Sequence, residues 1–291
     1  MSKWTAVDIP DQSGRTIVVT GANSGLGEVT AAELAAHGAT VVLACRNTGK
    51  GEAAAAKMSG DVAVRPLDLA DLASVRAFAE ATGKIDALVN NAGVMAVPKK
   101  RTADGFEMQI GTNYLGHFAL TGLLLPKITD RVVTMSSFVH VMGRINLGDL
   151  NWHSRHYRRW GAYAQSKLAD LMFAYELARR LEATGSAVRS YAAHPGYSST
   201  ELQSHTESFM DRFMGIGNRV LAQSAAAGAR PALYAATMPD LPNGAYYGPD
   251  GPGEMRGHPH RVKSTPASRN REVAAKLWDQ ASELTGVVVS V

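Results

Sequence analysis

The chain has 291 residues, of which 45% are hydrophobic and 19% charged, a balance typical of a globular protein and not of a disordered one. It has 30 Lys and Arg against 26 Asp and Glu residues, and its only cysteine, Cys45, excludes an internal disulfide and a multi-cysteine metal site. We therefore predict no metal. The dense basic segment at 153–159 has no nucleic-acid-binding motif beside it, which favours a solvated loop over a nucleic-acid patch.

The N-terminus has no apolar core of the kind found in signal peptides. No apolar run approaches the roughly 18 residues of a membrane-spanning helix. We expect a cytoplasmic protein without a membrane span, and a single cysteine suits a reducing compartment.

Short β-branched runs alternate with alanine- and leucine-rich helical stretches up to about residue 190. Strands of this length separated by helices form right-handed βαβ units and a parallel sheet. The prediction is an α/β fold, a doubly wound parallel sheet of Rossmann type in a single domain, 1–291. The predicted strands are Thr16–Thr20, Thr40–Ala44, Val62–Leu67, Ala87–Asn90, Arg131–Ser136 and Ala187–Ala193. The predicted helices are Gly25–His37, Lys50–Met58, Asp71–Ala81, Phe106–Leu125 and Ala162–Glu182.

The pattern loosens after His194-Pro195-Gly196. The apolar segment Leu202–Leu221 predicts a helical substrate lid at about 198–222, although such a surface could also form dimer contacts. Residues 239–266 are rich in Pro and Gly and predict loops around one short strand near Ala245–Tyr247. A last amphipathic helix is predicted at Ser268–Leu284.

A glycine-rich turn connects the first strand to the first helix. A bound pyrophosphate needs free backbone amides at a helix N-terminus, and a side chain on one of these glycines would block its approach. The spacing is G-x-x-x-G-x-G, which alone would also suit an ordinary turn, but the strand before it and the helix after it predict a dinucleotide site. The residues of this site are Gly21, Asn23, Ser24, Gly25, Leu26 and Gly27.

The end of the second strand favours NADP(H) over NAD(H). NAD-binding enzymes place a carboxylate there to hold the ribose 2′-hydroxyl, whereas an arginine accommodates a 2′-phosphate. The segment Ala44-Cys45-Arg46-Asn47 has no acid, and Arg46 can bind a phosphate through charge-assisted hydrogen bonds. The alternative is a solvent-exposed arginine that begins a loop.

Tyr163 and Lys167 are four positions apart and share one helix face. A free phenol has a pKa of about 10, and an ammonium about 4 Å away at an effective dielectric of about 20 stabilises the phenolate by roughly 4 kcal/mol, about three pKa units. Such a pair can exchange a proton with an alcohol or carbonyl oxygen while a hydride moves to or from the cofactor. Because chance pairs of this kind are common, the pair needs support from other motifs.

Five motifs occur in an order that closely resembles the short-chain dehydrogenase/reductase family, and the resemblance covers essentially the whole chain. They are Thr20–Gly27, Asn90-Asn91-Ala92-Gly93, Ser136-Ser137, Tyr163-x-x-x-Lys167 and Pro195-Gly196. The resemblance implies that Tyr163 is the catalytic acid/base and that Lys167 lowers its pKa and holds the nicotinamide ribose. It implies further that Ser137 orients the substrate oxygen and that Asn113 completes a proton relay.

Each implied role has a structural alternative. Asn113 could satisfy helix backbone, and Thr200, implied to lie near the carboxamide and phosphates, could be an ordinary N-cap. Ser136 and Ser137 point to opposite faces of a strand end, so only one can reach the substrate, and the resemblance selects Ser137. His194 has no partner for nucleophilic catalysis and is interpreted as structural. The resemblance also implies that Asp68 contacts the adenine of the cofactor. The remaining cofactor-binding residues that it implies are Leu69, Asn90, Ala92, Gly93, Pro195 and Gly196.

The interval from Ser137 to Tyr163, 26 positions, is about twice that of compact family members, and its sequence resembles the retinol dehydrogenase-like branch. The predicted substrate is a small-molecule carbonyl or alcohol compound, and the apolar segment Leu202–Leu221 favours a hydrophobic aldehyde or ketone. Homo-oligomerisation is left open. The alternative is a non-enzymatic NADP(H)-sensing or scaffold protein on the same fold, since the fold alone does not determine function. An epimerase or dehydratase of the extended branch is disfavoured by the glycine spacing.

Overall fold

The computed structural model describes residues 3–197 and 224–291. Eight strands form one sheet in the order β3-β2-β1-β4-β5-β6-β7-β8, and all neighbours pair in parallel except β7 and β8, which are antiparallel. The strands are β1 Thr16–Thr20, β2 Thr40–Cys45, β3 Val62–Pro66, β4 Ile85–Asn90, β5 Ile128–Met135, β6 Arg189–Ala193, β7 Tyr246–Pro249 and β8 Pro259–Arg261.

Helices cover both faces of this sheet in a single α/β domain, which confirms the predicted fold class. One core packs α3, α4, α5 and α7 against the sheet, and the other packs α1, α2 and α6 against its opposite face. The inner strands are therefore buried on both faces, which explains why their sequences are almost continuously apolar. The helices are α1 Gly25–Ala36, α2 Thr48–Ala55, α3 Leu72–Glu80, α4 Gly116–Leu124, α5 Arg159–Ala183, α6 Ala225–Thr237 and α7 Arg271–Thr285.

Local signals explain several element ends. The Asp71 carboxylate accepts a hydrogen bond from the amide of Ala73 at 2.9 Å and caps the start of α3. Gly38 has φ +96° just after α1, a backbone conformation that glycine adopts without steric cost.

Two elements in the C-terminal part were not predicted. Helix α6 contains Pro231, which lacks the amide proton needed inside a helix, so the sequence there does not indicate one. Strand β8 begins at Pro259 in a segment predicted to be loops, and it lies at the edge of the sheet, where proline is tolerated. The predicted lid at about 198–222 lies outside the described residues.

The predicted helix Phe106–Leu125 is in fact divided. Residues Ile110–Leu115 form a π-helical turn, which is followed by α4 and contains Asn113. Such turns are rare and often occur at functional sites, because they change the hydrogen bonding of the helix backbone.

The chain order of the sheet places a crevice beside the glycine-rich turn. From β1 the chain winds outward to β2 and β3 and then returns to β4, on the other side of β1. Ligands of open α/β sheets bind at such a switch point, at the carboxyl ends of the strands. Among residues 3–197 and 224–291, no helix is both long and apolar enough to cross a membrane.

Candidate active site

The turn after β1 has the geometry of a phosphate cradle. Gly21 and Gly25 have φ of +65° and +58°, values that favour glycine. A Cβ on Gly27 would lie 2.5 Å from Nδ2 of Asn91 and would also meet the carbonyl oxygen of Gly21. Ser24 is the N-cap of α1, but its side chain makes no capping hydrogen bond, so the first amides of the helix remain available for an anion.

Thr20 and Asn91 lock this turn to the next strand of the sheet. Nδ2 of Asn91 donates to the carbonyl oxygen of Thr20 at 2.8 Å. The Thr20 hydroxyl oxygen accepts hydrogen bonds from the backbone amides of Asn91 and Ala92, each at 2.9 Å. The ends of β1 and β4 are therefore fixed where the cofactor groove is predicted.

Three predicted cofactor residues follow β2 and β3. Arg46 is exposed directly after β2, and no hydrogen bond or ion pair engages its side chain within the described part of the chain. Asp68 is half-buried after β3, where its Oδ1 accepts from the amide of Ala70 at 2.9 Å. Leu69 is buried, and its carbonyl oxygen lies so close to Gly116 that a Cβ there would collide with it.

Asn113 is buried, and its side chain fixes the segment after β4 in place. Its Oδ1 accepts from the amide of Val94 at 2.8 Å, and its Nδ2 donates to the Val94 carbonyl and to Oγ of Ser166, both at 2.9 Å. A Cβ on Gly93 would lie 3.2 Å from Oδ1 of Asn113 and 3.6 Å from Nζ of Lys167. The structure thus brings Gly93, Asn113 and Lys167 together.

His117 is a site residue that sequence reasoning missed. It is buried, with Nδ1 2.8 Å from the carbonyl oxygen of Asn113 and Nε2 2.9 Å from Oγ1 of Thr20. Since the carbonyl can only accept, we assign the proton to Nδ1, which leaves Nε2 to accept from the threonine hydroxyl. Burial lowers the pKa of His117 to about 3, so the ring is neutral. The sequence offered one sign that His117 belongs to the site: it follows Asn113 by four residues and so shares its helix face.

Tyr163 and Lys167 lie on α5, as predicted, and both are buried. The Tyr163 ring packs edge-on against Trp160, with 6.0 Å between ring centroids. No group of residues 3–197 or 224–291 forms a hydrogen bond with its hydroxyl, whereas Nζ of Lys167 donates to the carbonyl oxygen of Met135 at 3.0 Å and to Oδ2 of Asp170 at 2.9 Å. Burial lowers the pKa of Lys167, but the nearby Asp170 and, less strongly, Tyr163 more than offset this, so the pKa is raised and the ammonium persists.

Asp170 is the second missed residue. Its side chain is 2% exposed and forms an ion pair with Lys167, three residues earlier on α5. Its Oδ1 is buried without a hydrogen-bond partner in the described part of the protein. Burial raises the pKa of Asp170 to about 6, against the lowering effect of the Lys167 ammonium.

The two serines after β5 have different environments. Ser136 is buried, and its hydroxyl donates to the carbonyl oxygen of Lys167 at 2.8 Å. Ser137 is half-buried, and its hydroxyl oxygen accepts a 3.3 Å hydrogen bond from the amide of Val139. Of the two, Ser137 is the one whose surroundings leave room for a substrate.

The segment after β6 contains Gly196, at φ +67°, where a Cβ would lie 2.8 Å from Pro249. The Gly196 amide donates to Nδ1 of His194 at 3.2 Å, and Nε2 of His194 lies 3.0 Å from Oε2 of Glu254. His194 therefore supports this turn, in agreement with the structural interpretation. Pro195 precedes Gly196 in the same turn, and Thr200 lies outside the described residues.

Asn90 ends β4 and is buried under the groove. Its Nδ2 donates to Oγ1 of Thr121 at 2.9 Å, toward the interior, and its Oδ1 is buried without a partner among the described residues. Its amide therefore connects the end of β4 to α4.

The basic segment 153–159 folds around an acid. The Asp149 carboxylate accepts from the amides of His153 and Arg155, at 2.6 and 3.2 Å. The Arg155 guanidinium lies 3.7 Å from the centre of the Trp152 ring, a cation–π contact. The segment is thus partly neutralised and packed against its own loop.

Comparisons with known proteins agree with this geometry. The family model described as short chain dehydrogenase matches residues 15–211. The chain is 42% identical to human retinol dehydrogenase 13, with 94% of this chain and 85% of the relative aligned, and 40% identical to mouse polyprenol dehydrogenase, with 96% and 86% aligned. A crystal structure of an uncharacterized protein from Mycobacterium paratuberculosis is 52% identical, covers all of both chains and has a TM-score of 0.88. The chain belongs to the short-chain dehydrogenase family of oxidoreductases, in its retinol dehydrogenase-like branch.

Proposed function

We propose that the protein transfers a hydride between NADP(H) and a carbonyl or alcohol group, with Tyr163 as the acid/base. The observation that carries the proposal is the Tyr163 hydroxyl, which no described residue engages, one helical turn from the buried Lys167 on the same face of α5. A phenol whose hydroxyl has no partner in the described part of the chain can donate a proton to a substrate oxygen or accept one from it.

The turn at Gly21, Gly25 and Gly27 fits a dinucleotide pyrophosphate at the N-terminus of α1. Gly21 and Gly25 have positive φ, and a Cβ on Gly21 or Gly27 would collide with Ala92 or Asn91, so the turn needs glycine at these positions.

Arg46 would meet a 2′-phosphate, and its exposed guanidinium and the absence of an acid after β2 in the sequence support NADP(H) over NAD(H). Gly93 and Lys167 would hold the nicotinamide end. When bound, the nicotinamide supplies or accepts the hydride.

In the direction of reduction, the Tyr163 hydroxyl donates its proton to the carbonyl oxygen of the substrate. Ser137 would donate a second hydrogen bond to the same oxygen and so fix its position. The Lys167 ammonium would stabilise the phenolate left on Tyr163, and Asn113 holds the segment at Val94, after β4, in place. The neutral His117 keeps the Asn113 carbonyl in place.

The surface around Ser137 supports a hydrophobic substrate. Phe138, Val141 and Met142 follow Ser137 and are 48%, 45% and 64% exposed, and Trp160, which contacts Tyr163, is 38% exposed. Exposed apolar surface marks ligand-binding grooves as well as protein and membrane contacts, and its position beside Ser137 supports an apolar ligand. The names retinol dehydrogenase and polyprenol dehydrogenase, carried by relatives, also refer to apolar alcohols.

The test is turnover of a panel of hydrophobic aldehydes and ketones with NADPH by the wild type and by Tyr163→Phe. Loss of an acid/base group lowers the rate by about 100-fold or more. Tyr175→Phe is a matched control, because Tyr175 lies on the same helix and its hydroxyl bonds Oγ of Ser264 at 2.9 Å instead of facing the site. Equal rates for the wild type and Tyr163→Phe on every substrate would instead favour a non-enzymatic NADP(H)-binding protein.

A further inference from the structure

A buried carboxylate, that of Asp170, binds the Lys167 ammonium. Tyr163, Lys167 and Asp170 are spaced i, i+4 and i+7 along α5 and therefore share one helix face. We infer that Asp170 is a positioning residue that, by partly neutralising Lys167, makes Tyr163 hold its proton more strongly and so favours proton donation, as carbonyl reduction requires. This inference rests on the proposed role of Tyr163 as the acid/base.

The contact geometry supports a direct electrostatic effect. Oδ2 of Asp170 is 2.9 Å from Nζ of Lys167, and the two side chains are 2% and 6% exposed, so solvent screens them little. A cation such as the Lys167 ammonium stabilises a nearby phenolate. A carboxylate paired with that cation, here Asp170, offsets part of its charge and so weakens the stabilisation. Asp170 also holds the Lys167 ammonium in position. Among the described residues, the Met135 carbonyl is the only other hydrogen-bond acceptor of Nζ.

The side chains facing this pair from other elements carry no charge that could replace the acid. Tyr114, from the π-helical turn, has a pKa raised well above its ordinary value by burial and by Asp170. Burial and the Lys167 ammonium help to lower the pKa of His117 to about 3. Tyr246, from β7, has a pKa raised mainly by burial. All three are neutral at physiological pH, which leaves Asp170 as the countercharge to Lys167 among the described groups.

The two oxygens of Asp170 have unequal roles. Oδ2 binds Lys167, whereas Oδ1 is buried without a partner in the described regions. A buried, unpaired carboxylate oxygen is costly to folding, so a residue with only a packing role would be better served by an apolar or amide side chain. The folding cost of the unpaired Oδ1 is explained if the negative charge of Asp170 is needed next to Lys167.

The experiment measures the midpoint of tyrosinate formation at Tyr163 from ultraviolet absorbance, as the difference between each protein and its Tyr163→Phe counterpart. This readout needs no substrate. In Asp170→Asn the midpoint should fall by about one pH unit, because the uncompensated ammonium then favours the phenolate. Asp170→Glu, which keeps the charge, should restore the wild-type midpoint.

Glu176→Gln is the matched control. Glu176 is a buried acid on the same helix, paired with Arg180 at 2.7 Å, and lies about 20 Å along the helix axis from Tyr163 at about 1.5 Å per residue. Glu176→Gln should leave the midpoint of tyrosinate formation at Tyr163 unchanged. If Asp170→Asn does not fold, Asp170→Ser gives a second uncharged variant.

An unchanged midpoint in the uncharged Asp170 variants overturns the inference. A raised midpoint also overturns it, because it would show that Lys167 loses its proton without the acid. The proposed function fails separately, when Tyr163→Phe retains turnover. With a reducible substrate in hand, the basic limb of the kcat/KM profile for reduction should move with the absorbance midpoint in Asp170→Asn.

Discussion

The imidazole of His117 connects the end of β1 to the π-helical turn, with Nε2 2.9 Å from the Thr20 hydroxyl and Nδ1 2.8 Å from the Asn113 carbonyl. The Thr20 hydroxyl oxygen also receives the amides of Asn91 and Ala92. One neutral ring thus links the glycine-rich turn after β1, the segment after β4 and the turn that carries Asn113.

Removing this ring should destabilise the protein and disturb the site. His117→Phe removes the hydrogen bonds of the ring to the Asn113 carbonyl and to the Thr20 hydroxyl, and the loss of a partner to a buried polar group costs about 1–3 kcal/mol. We expect urea denaturation to show a loss of this size, together with a lower kcat. His37→Phe is the control, because His37 bonds the Glu33 carbonyl at the half-buried end of α1 and its loss should cost less. Equal losses in the two variants would refute a special role for His117.

The same ring should make stability depend on pH in the acid range. The pKa of His117 is about 3 in the folded protein, because of burial, and about 6.5 in an unfolded chain. Between these values the unfolded state binds more protons, so folding stability decreases as pH falls, by about 1.4 kcal/mol per pH unit well below 6.5.

His117→Gln removes this titration, so the free energy of unfolding of the wild type minus that of the variant should shrink between about pH 7 and about pH 5. Chemical denaturation at several pH values measures this difference. A difference that stays constant over this range would mean that the ring is not held neutral.

The fold was largely predictable because βαβ alternation is a local pattern. Strands β1, β2 and β4 are rich in apolar and β-branched residues, and the glycine turn at Gly21–Gly27 predicts the start of the first helix. Helix α6 and strand β8 carry Pro231 and Pro259, whose local preference is against both elements. Packing against the sheet overrides that preference, and it is not visible in a single sequence.

Sequence reasoning also predicted the pair Tyr163 and Lys167, because a helix places i and i+4 on one face, and the structure confirms that both lie on α5. It missed His117, whose contacts depend on the fold that brings the end of β1 against the π-helical turn. It also missed the effect of Asp170, because whether an acid on a helix is buried depends on what packs against it.

Gly27→Ala tests the cradle. The added Cβ would lie 2.5 Å from Nδ2 of Asn91 and against the Gly21 carbonyl, and moving the Asn91 side chain would break its hydrogen bond to the Thr20 carbonyl. We expect NADPH affinity, measured by fluorescence titration, to fall at least 10-fold, which corresponds to about 1.4 kcal/mol. Gly83→Ala is the control, because a Cβ there meets nothing within 4 Å. Wild-type affinity in Gly27→Ala would exclude the turn as the phosphate site.

Arg46→Glu tests the cofactor preference. The substitution places a carboxylate after β2, where it repels a 2′-phosphate and can accept hydrogen bonds from a ribose 2′-hydroxyl. We expect the Kd for NADPH to rise at least 10-fold, about 1.4 kcal/mol, while the Kd for NADH stays the same or falls. Lys50→Glu in α2 is the control for a change of net charge, because it adds the same charge to the exposed face of the next helix. Parallel weakening of both cofactors by Arg46→Glu, or equal effects of the two variants on NADPH, would show that Arg46 does not read the 2′-phosphate.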